Sequence, residues 1–250
     1  MAKAKYATEA ELCADFIAWA QPQGWTAYPE TEGWDVLMVA PSGHQLGVQA
    51  KLKLNAKVLA QAAPGPSAFS QWGRDRGPDF RALLVPERSE LASIATMLGF
   101  AVITPGYQGF ACETGLYGVS YYGAPMKEWA MTDWNPATRE RLPDYVPDVP
   151  AGVPGPRSLS RWKVGALRVM ATLELRGEVT RKEVEALGLN SRRWCAADGW
   201  LKPGSAPGQW RRGDGCPDFA AEHPEVYPKV LEEVRAKLAA EHAKGAGNGQ

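Results

Sequence analysis

The segment that most constrains this chain is a pair of alternating runs joined by a tight turn. Trp34–Val39 (Trp-Asp-Val-Leu-Met-Val) leads into Pro41-Ser42-Gly43-His44, and a second run covers residues 45–54. Side chains on a strand alternate between faces, so Val48, Ala50, Leu52 and Leu54 point one way and Gln49, Lys51 and Lys53 the other. Thirteen residues lie between Asp35 and the triplet Gln49-Ala50-Lys51. A hairpin therefore sets the Asp35 carboxylate beside an amide oxygen and an ammonium. Oxygen ligands suit a hard divalent cation, and the ammonium suits a phosphate.

The pattern Gly33-Trp34-Asp35-Val36, a hairpin, then Gly47-Val48-Gln49-Ala50-Lys51 resembles the restriction-endonuclease-like fold with its PD-(D/E)xK signature. More narrowly, it is similar to the Mrr-like branch, in which Gln replaces the second acidic residue. The resemblance covers about residues 8–105. It implies an α/β (α+β) fold with an αβββαβ core and a DNA endonuclease that uses Mg²⁺, or Mn²⁺ in its place, and leaves 5′-phosphate ends. The implied metal ligands are Asp35, Gln49 and the backbone carbonyl of Ala50. Lys51 would orient the attacking water or stabilise the phosphate, and Glu11 would be the additional acid of the first helix. Glu30 and Glu32 are rival carboxylates that the residues do not rank. Gln49 is the departure from the commonest pattern: a neutral amide binds Mg²⁺ more weakly than a carboxylate. The alternative is therefore a non-catalytic DNA-binding regulator or adaptor on a degenerate nuclease fold.

The surrounding pattern predicts the same order of elements. Thr8 caps a helix over 8–20, with Glu11 completing a capping box and Leu12, Phe16, Ile17 and Trp19 giving an apolar face. A strand at 25–28 precedes the hairpin, and Asn55 caps a helix over 56–63. A Pro/Gly-rich loop covers 64–78, in which Arg74-Asp75-Arg76 either touches phosphate or is simply solvated. A buried strand (80–86), a helix (87–99) and a strand (101–104) follow. The expected division is a nuclease-like domain over 1–105, an aromatic Gly/Pro-rich extension and linker over 106–156, a second domain over 157–244 and a frayed tail. Trp129 and Trp134 mark the extension as packed rather than disordered, and the Pro-rich run 143–156 predicts an extended linker.

In the second domain, a helix over 160–176, short helices over 181–187 and 191–197, and strands near Trp200 and Trp210 flank a Gly/Pro turn. This looks like a winged helix-turn-helix. Twelve Lys and Arg residues stand against five acids between Arg157 and Arg212, about +7, an electrostatic footprint for double-stranded DNA. Arg192 and Arg193 open the third helix, where base edges would be met, and Lys202, Arg211 and Arg212 lie on the wing. The rival is a protein-interaction module with no salt-dependent affinity for DNA. A helix over 224–243 carries Val226, Val230, Val234 and Leu238 at four-residue spacing, a stripe that either pairs two copies into a homodimer or packs back on its own domain.

Cys13, Cys112, Cys195 and Cys216 have no metal-ligand spacing, so reduced thiols are expected. The N-terminal residues lack the apolar core of a signal peptide, and no apolar run reaches the ~18 residues needed to span a membrane. A cytoplasmic protein is the expectation.

Overall fold

A computed structural model describes residues 6–63, 76–114, 120–122, 126–153 and 158–247. Arg74, Asp75 and most of the loop at 64–78, residues 154–157 of the Pro-rich stretch, and 248–250 lie outside the described residues. The chain divides into two units, Met1–Leu142 with Val149–Ser158 and Pro143–Asp148 with Leu159–Gln250. The Pro-rich run expected as one linker is thus shared, its first six residues belonging with the second unit.

The first unit is built on a seven-stranded mixed sheet in sequence order. Its strands are β1 (Thr26–Thr31), β2 (Trp34–Val39), β3 (Gln45–Ala50), β4 (Phe80–Leu84), β5 (Ala101–Gly106), β6 (Gly109–Glu113) and β7 (Ser120–Tyr122). The β3–β4 and β4–β5 pairs are parallel, and their connections carry the crossover helices that parallel pairing needs, α2 (Ala56–Ala62) and α3 (Glu90–Met97). The boundary expected at residue 105 falls inside β5, and β6 and β7 extend the sheet beyond it.

Helix α1 (Glu9–Ala20) covers one face, packing Leu12, Cys13 and Phe16 on Val36, Val48, Ala50 and Ile103. On the other face, Val58 of α2 and Ala92 and Ala95 of α3 pack with Leu37, Leu83 and Val102. The β1–β2 turn has Glu32 at φ 52° and Gly33 at φ 85°, the left-handed pair that matches strand twist in a two-residue hairpin. Gly47 lies under the Trp34 indole, where an added Cβ would stand 2.5 Å from ring carbons. Strand β3 stops at Ala50, four residues short of the expected end. The Lys51 N–H still donates to the Leu84 carbonyl, 2.9 Å away, before the chain turns off the sheet.

In the second unit, α4 (Arg161–Arg176), β8 (Val179–Thr180), α5 (Arg181–Ala186), α6 (Ser191–Trp194), β9 (Leu201–Pro203), β10 (Gln209–Arg212), α7 (Phe219–Glu222) and α8 (Tyr227–Gly247) follow in order. The three strands form a sheet in the order β8–β10–β9. Trp194, Leu167, Leu201, Val184 and Val230 make the core. Helix α6 is one turn long, shorter than the expected 191–197, because Trp194 and Cys195 both turn into that core. Val226, Val230 and Val234 are buried and Leu238 packs against them, so the stripe considered for pairing two copies is spent within its own unit. The α8 backbone stays helical to Gly247, where a frayed tail was expected. Asp148 ties residues 143–148 to this unit: its carboxylate meets His223 Nδ1 at 2.6 Å and accepts from the Glu225 and Val226 amides.

All four cysteines are free and buried. Among the described residues, no helix is long and apolar enough to cross a membrane.

Candidate functional site

The end of β3 gathers most of the predicted groups. Asp35, second in β2, accepts a hydrogen bond from the Ala50 N–H at 2.7 Å through Oδ2. The same oxygen lies 3.6 Å from Lys51 Nζ. Lys51 donates to Glu9 Oε2 at 2.7 Å. Gln49 is buried, and its Nε2 donates to the Gly33 carbonyl at 2.7 Å. That bond leaves the amide oxygen as the only atom of the Gln49 side chain able to ligate a cation. Gln49 sits on the sheet face of Leu37 and Leu83. Lys51, beyond the strand's end, instead reaches Glu9 on α1, the helix covering the opposite face. The two side chains expected side by side are therefore separated by the chain's turn after Ala50.

Glu11 is not in this site, which corrects the expected acid. Its carboxylate accepts from the Ala7 N–H at 2.8 Å while Thr8 Oγ1 accepts from the Glu11 N–H, so it serves the helix start. Glu9 takes the expected place. The signal was present in the sequence: Glu9 lies three, four and seven residues before Leu12, Cys13 and Phe16, on the stripe that faces the sheet. Of the rival carboxylates, Glu32 is exposed in the turn. Glu30 lies between Pro29 and Thr31, which pair with Val36 and Trp34 on either side of Asp35, and its Oε1 accepts from the amides of Gly152 (2.7 Å) and Val153 (3.2 Å).

The local charge is negative: Glu9, Glu30 and Asp35 surround Lys51. Burial raises the Asp35 carboxyl above its ordinary value against the pull of the Ala50 N–H and Lys51, and Glu9 adds to the rise. Glu30 is also raised, by burial first and by Asp35 beyond the opposing Gly152 bond. Burial pulls Lys51 down, but Glu9 and Asp35 more than compensate, and it is held above its ordinary value. Among the described residues, no three His, Cys, Asp or Glu side chains are gathered closely enough to hold a metal ion by themselves. Asp35 and Glu9, the two carboxylates that reach Lys51, offer the hard oxygens that Mg²⁺ takes, one or two of which commonly suffice beside waters and substrate phosphate, whereas Gln49 faces the other side of the sheet.

In the second unit, Asn190 Oδ1 caps α6 by accepting from the Arg192 N–H. Arg192 and Arg193 are exposed, and the Arg193 guanidinium stacks 4.7 Å from the Trp200 ring centre. Lys202 is ion-paired with Asp214, and Arg212 lies 3.9 Å from Asp218. Among the described residues Arg192 and Arg193 form no ion pair, while Arg211 stands near enough to Asp214 to help lower its carboxyl behind Lys202. As folded, the unit holds fifteen Lys and Arg against fourteen Asp and Glu, a net of +1. The surplus of about +7 read from 157–212 is offset because acids outside that window fold onto it: Asp144 and Glu233 on Arg168, and Glu222 on Lys163.

No family model matches this chain, and neither a curated protein nor a solved structure matches it.

Proposed function

We propose that this protein is a Mg²⁺-dependent DNA endonuclease, a restriction-endonuclease-like unit joined to a winged helix-turn-helix unit that holds double-stranded DNA. One observation carries the reading: Asp35 and Glu9 converge on Lys51 at the end of β3, the carboxylate–lysine arrangement that hydrolysis of a phosphodiester needs. Asp35 and the Ala50 carbonyl would hold Mg²⁺, with Glu9 replacing Glu11 as the further acid. Bound there, the cation would supply Lewis acidity at the phosphate and lower the pKa of its water. Lys51 stays protonated and offsets the charge that grows on the phosphate oxygens. Asp35 and Glu9 hold the ammonium in place. Water attacks phosphorus and releases a proton to solvent, the bond to the 3′ oxygen breaks, and that oxygen takes a proton from solvent, leaving a 5′-phosphate and a 3′-hydroxyl. In the second unit, Arg192, Arg193 and Arg211 would meet the phosphate backbone and base edges.

The test is nicking of plasmid DNA with Mg²⁺ or Mn²⁺ by the wild type, Asp35→Ala and Lys51→Ala. Metal-dependent cleavage lost in both variants is expected. The second reading, a DNA-binding regulator on a degenerate nuclease fold, is favoured by the neutral Gln49, whose amide is committed to Gly33. It predicts salt-sensitive binding in all three proteins and cleavage in none.

A further inference from the structure

The segment 149–153 passes beside the first turn of α1 with two anchors of its own. Ala151 is buried in the core shared by Leu12 and Cys13. Gly152, at φ 70°, lies so close to α1 that an added Cβ would stand 3.0 Å from the Glu9 carbonyl carbon. The next contact is Glu30, whose single Oε1 accepts from two successive amides, Gly152 and Val153. Glu30 itself holds φ 48°, a left-handed backbone that a side-chain-bearing residue keeps only where its surroundings fix it. Here it directs the carboxylate at the strap.

We infer that Glu30 is a positioning residue: it latches the strap 149–153 against the first turn of α1 and so sets where the Glu9 carboxylate meets Lys51. The chain of contact runs from Glu30 to Gly152, from Gly152 to the Glu9 backbone, and from the Glu9 side chain to Lys51. The inference rests on the reading of Glu9 as part of the active site, but its geometry is tested without DNA.

The experiment compares the full-length wild type with Glu30→Ala and Glu30→Gln by NMR. Amide hydrogen exchange is followed at Gly152 and Val153, and the side-chain carboxyl ¹³C signal at Glu9. In the wild type both amides exchange slowly. Glu30→Ala speeds them at least about tenfold, the scale of a lost hydrogen bond to a charged group, and shifts the Glu9 signal. Glu30→Gln, which keeps an oxygen acceptor, restores both. Fast exchange in the wild type overturns the proposal without any variant. So does a Glu9 signal unmoved by Glu30→Ala, or a failure of Glu30→Gln to restore it. If the spectra behave as expected and the wild type cuts no DNA, the strap stands and the nuclease reading falls.

Discussion

Lys51 Nζ lies 2.7 Å from Glu9 Oε2, a contact that joins the end of β3 to the first turn of α1. With Asp35 at 3.6 Å on its other side, the lysine is held charged well into the alkaline range. It acts as a fixed positive charge and not as a base that must lose its proton. The cleavage rate is therefore expected to show no alkaline loss with a midpoint below 10.5, the ordinary value above which Lys51 is raised. A rate–pH profile from neutrality upward checks this.

Asp35→Asn is expected to stabilise the fold at pH 7 while abolishing cleavage. The folded carboxyl is raised above 3.8 chiefly by burial, so the native state binds its proton more tightly than the unfolded chain. The cost of ionising Asp35 is absent below pH 3.8 and fully present once the pH exceeds the folded value. Replacing it by the neutral amide, which still accepts from the Ala50 N–H, should gain about 0.5–2 kcal/mol at pH 7. Thermal unfolding of the two proteins should converge as the pH falls toward 3.

Gly47→Ala should destabilise the first unit by about 1–3 kcal/mol. The Trp34 ring that its Cβ would strike is held by a hydrogen bond to Glu140 and lies 5.5 Å from the Arg81 guanidinium, so it cannot step aside. Denaturant unfolding with tryptophan fluorescence measures the loss.

DNA affinity should depend only moderately on salt. Three arginines meeting phosphate, Arg192, Arg193 and Arg211, give a slope of log K against log salt near −3, at about −0.9 per phosphate neutralised. Seven phosphates neutralised would give a slope near −6. Titrations at several salt concentrations decide between them, and Arg192→Ala should flatten the slope by about one.

The hairpin, the capped start of α1 and the nearness of Asp35 to Lys51 were legible because each follows from local periodicity or a local cap. The choice of acid was not. Glu9 and Glu11 both open α1, and which one reaches Lys51 depends on how Leu12, Cys13 and Phe16 turn the helix against the sheet. The separation of Gln49 from Lys51 was hidden for a related reason: strand alternation holds only while the strand lasts, and β3 ends at Ala50. The near-neutral second unit was invisible to a charge count over 157–212, because Asp144 and Glu233 reach Arg168 only in the folded chain. Strand β6 was hidden because its three central residues, Phe110, Ala111 and Cys112, are all buried and show no alternation.

The most direct test of the central claim is the single-turnover cleavage rate of supercoiled plasmid against Mg²⁺ concentration, for the wild type and Lys51→Met at saturating protein. Metal-dependent nicking by the wild type is expected, with a fall of about 10²–10³-fold in Lys51→Met and DNA binding retained. Equal rates in the two proteins, or DNA binding with no metal-dependent cleavage by either, would contradict it.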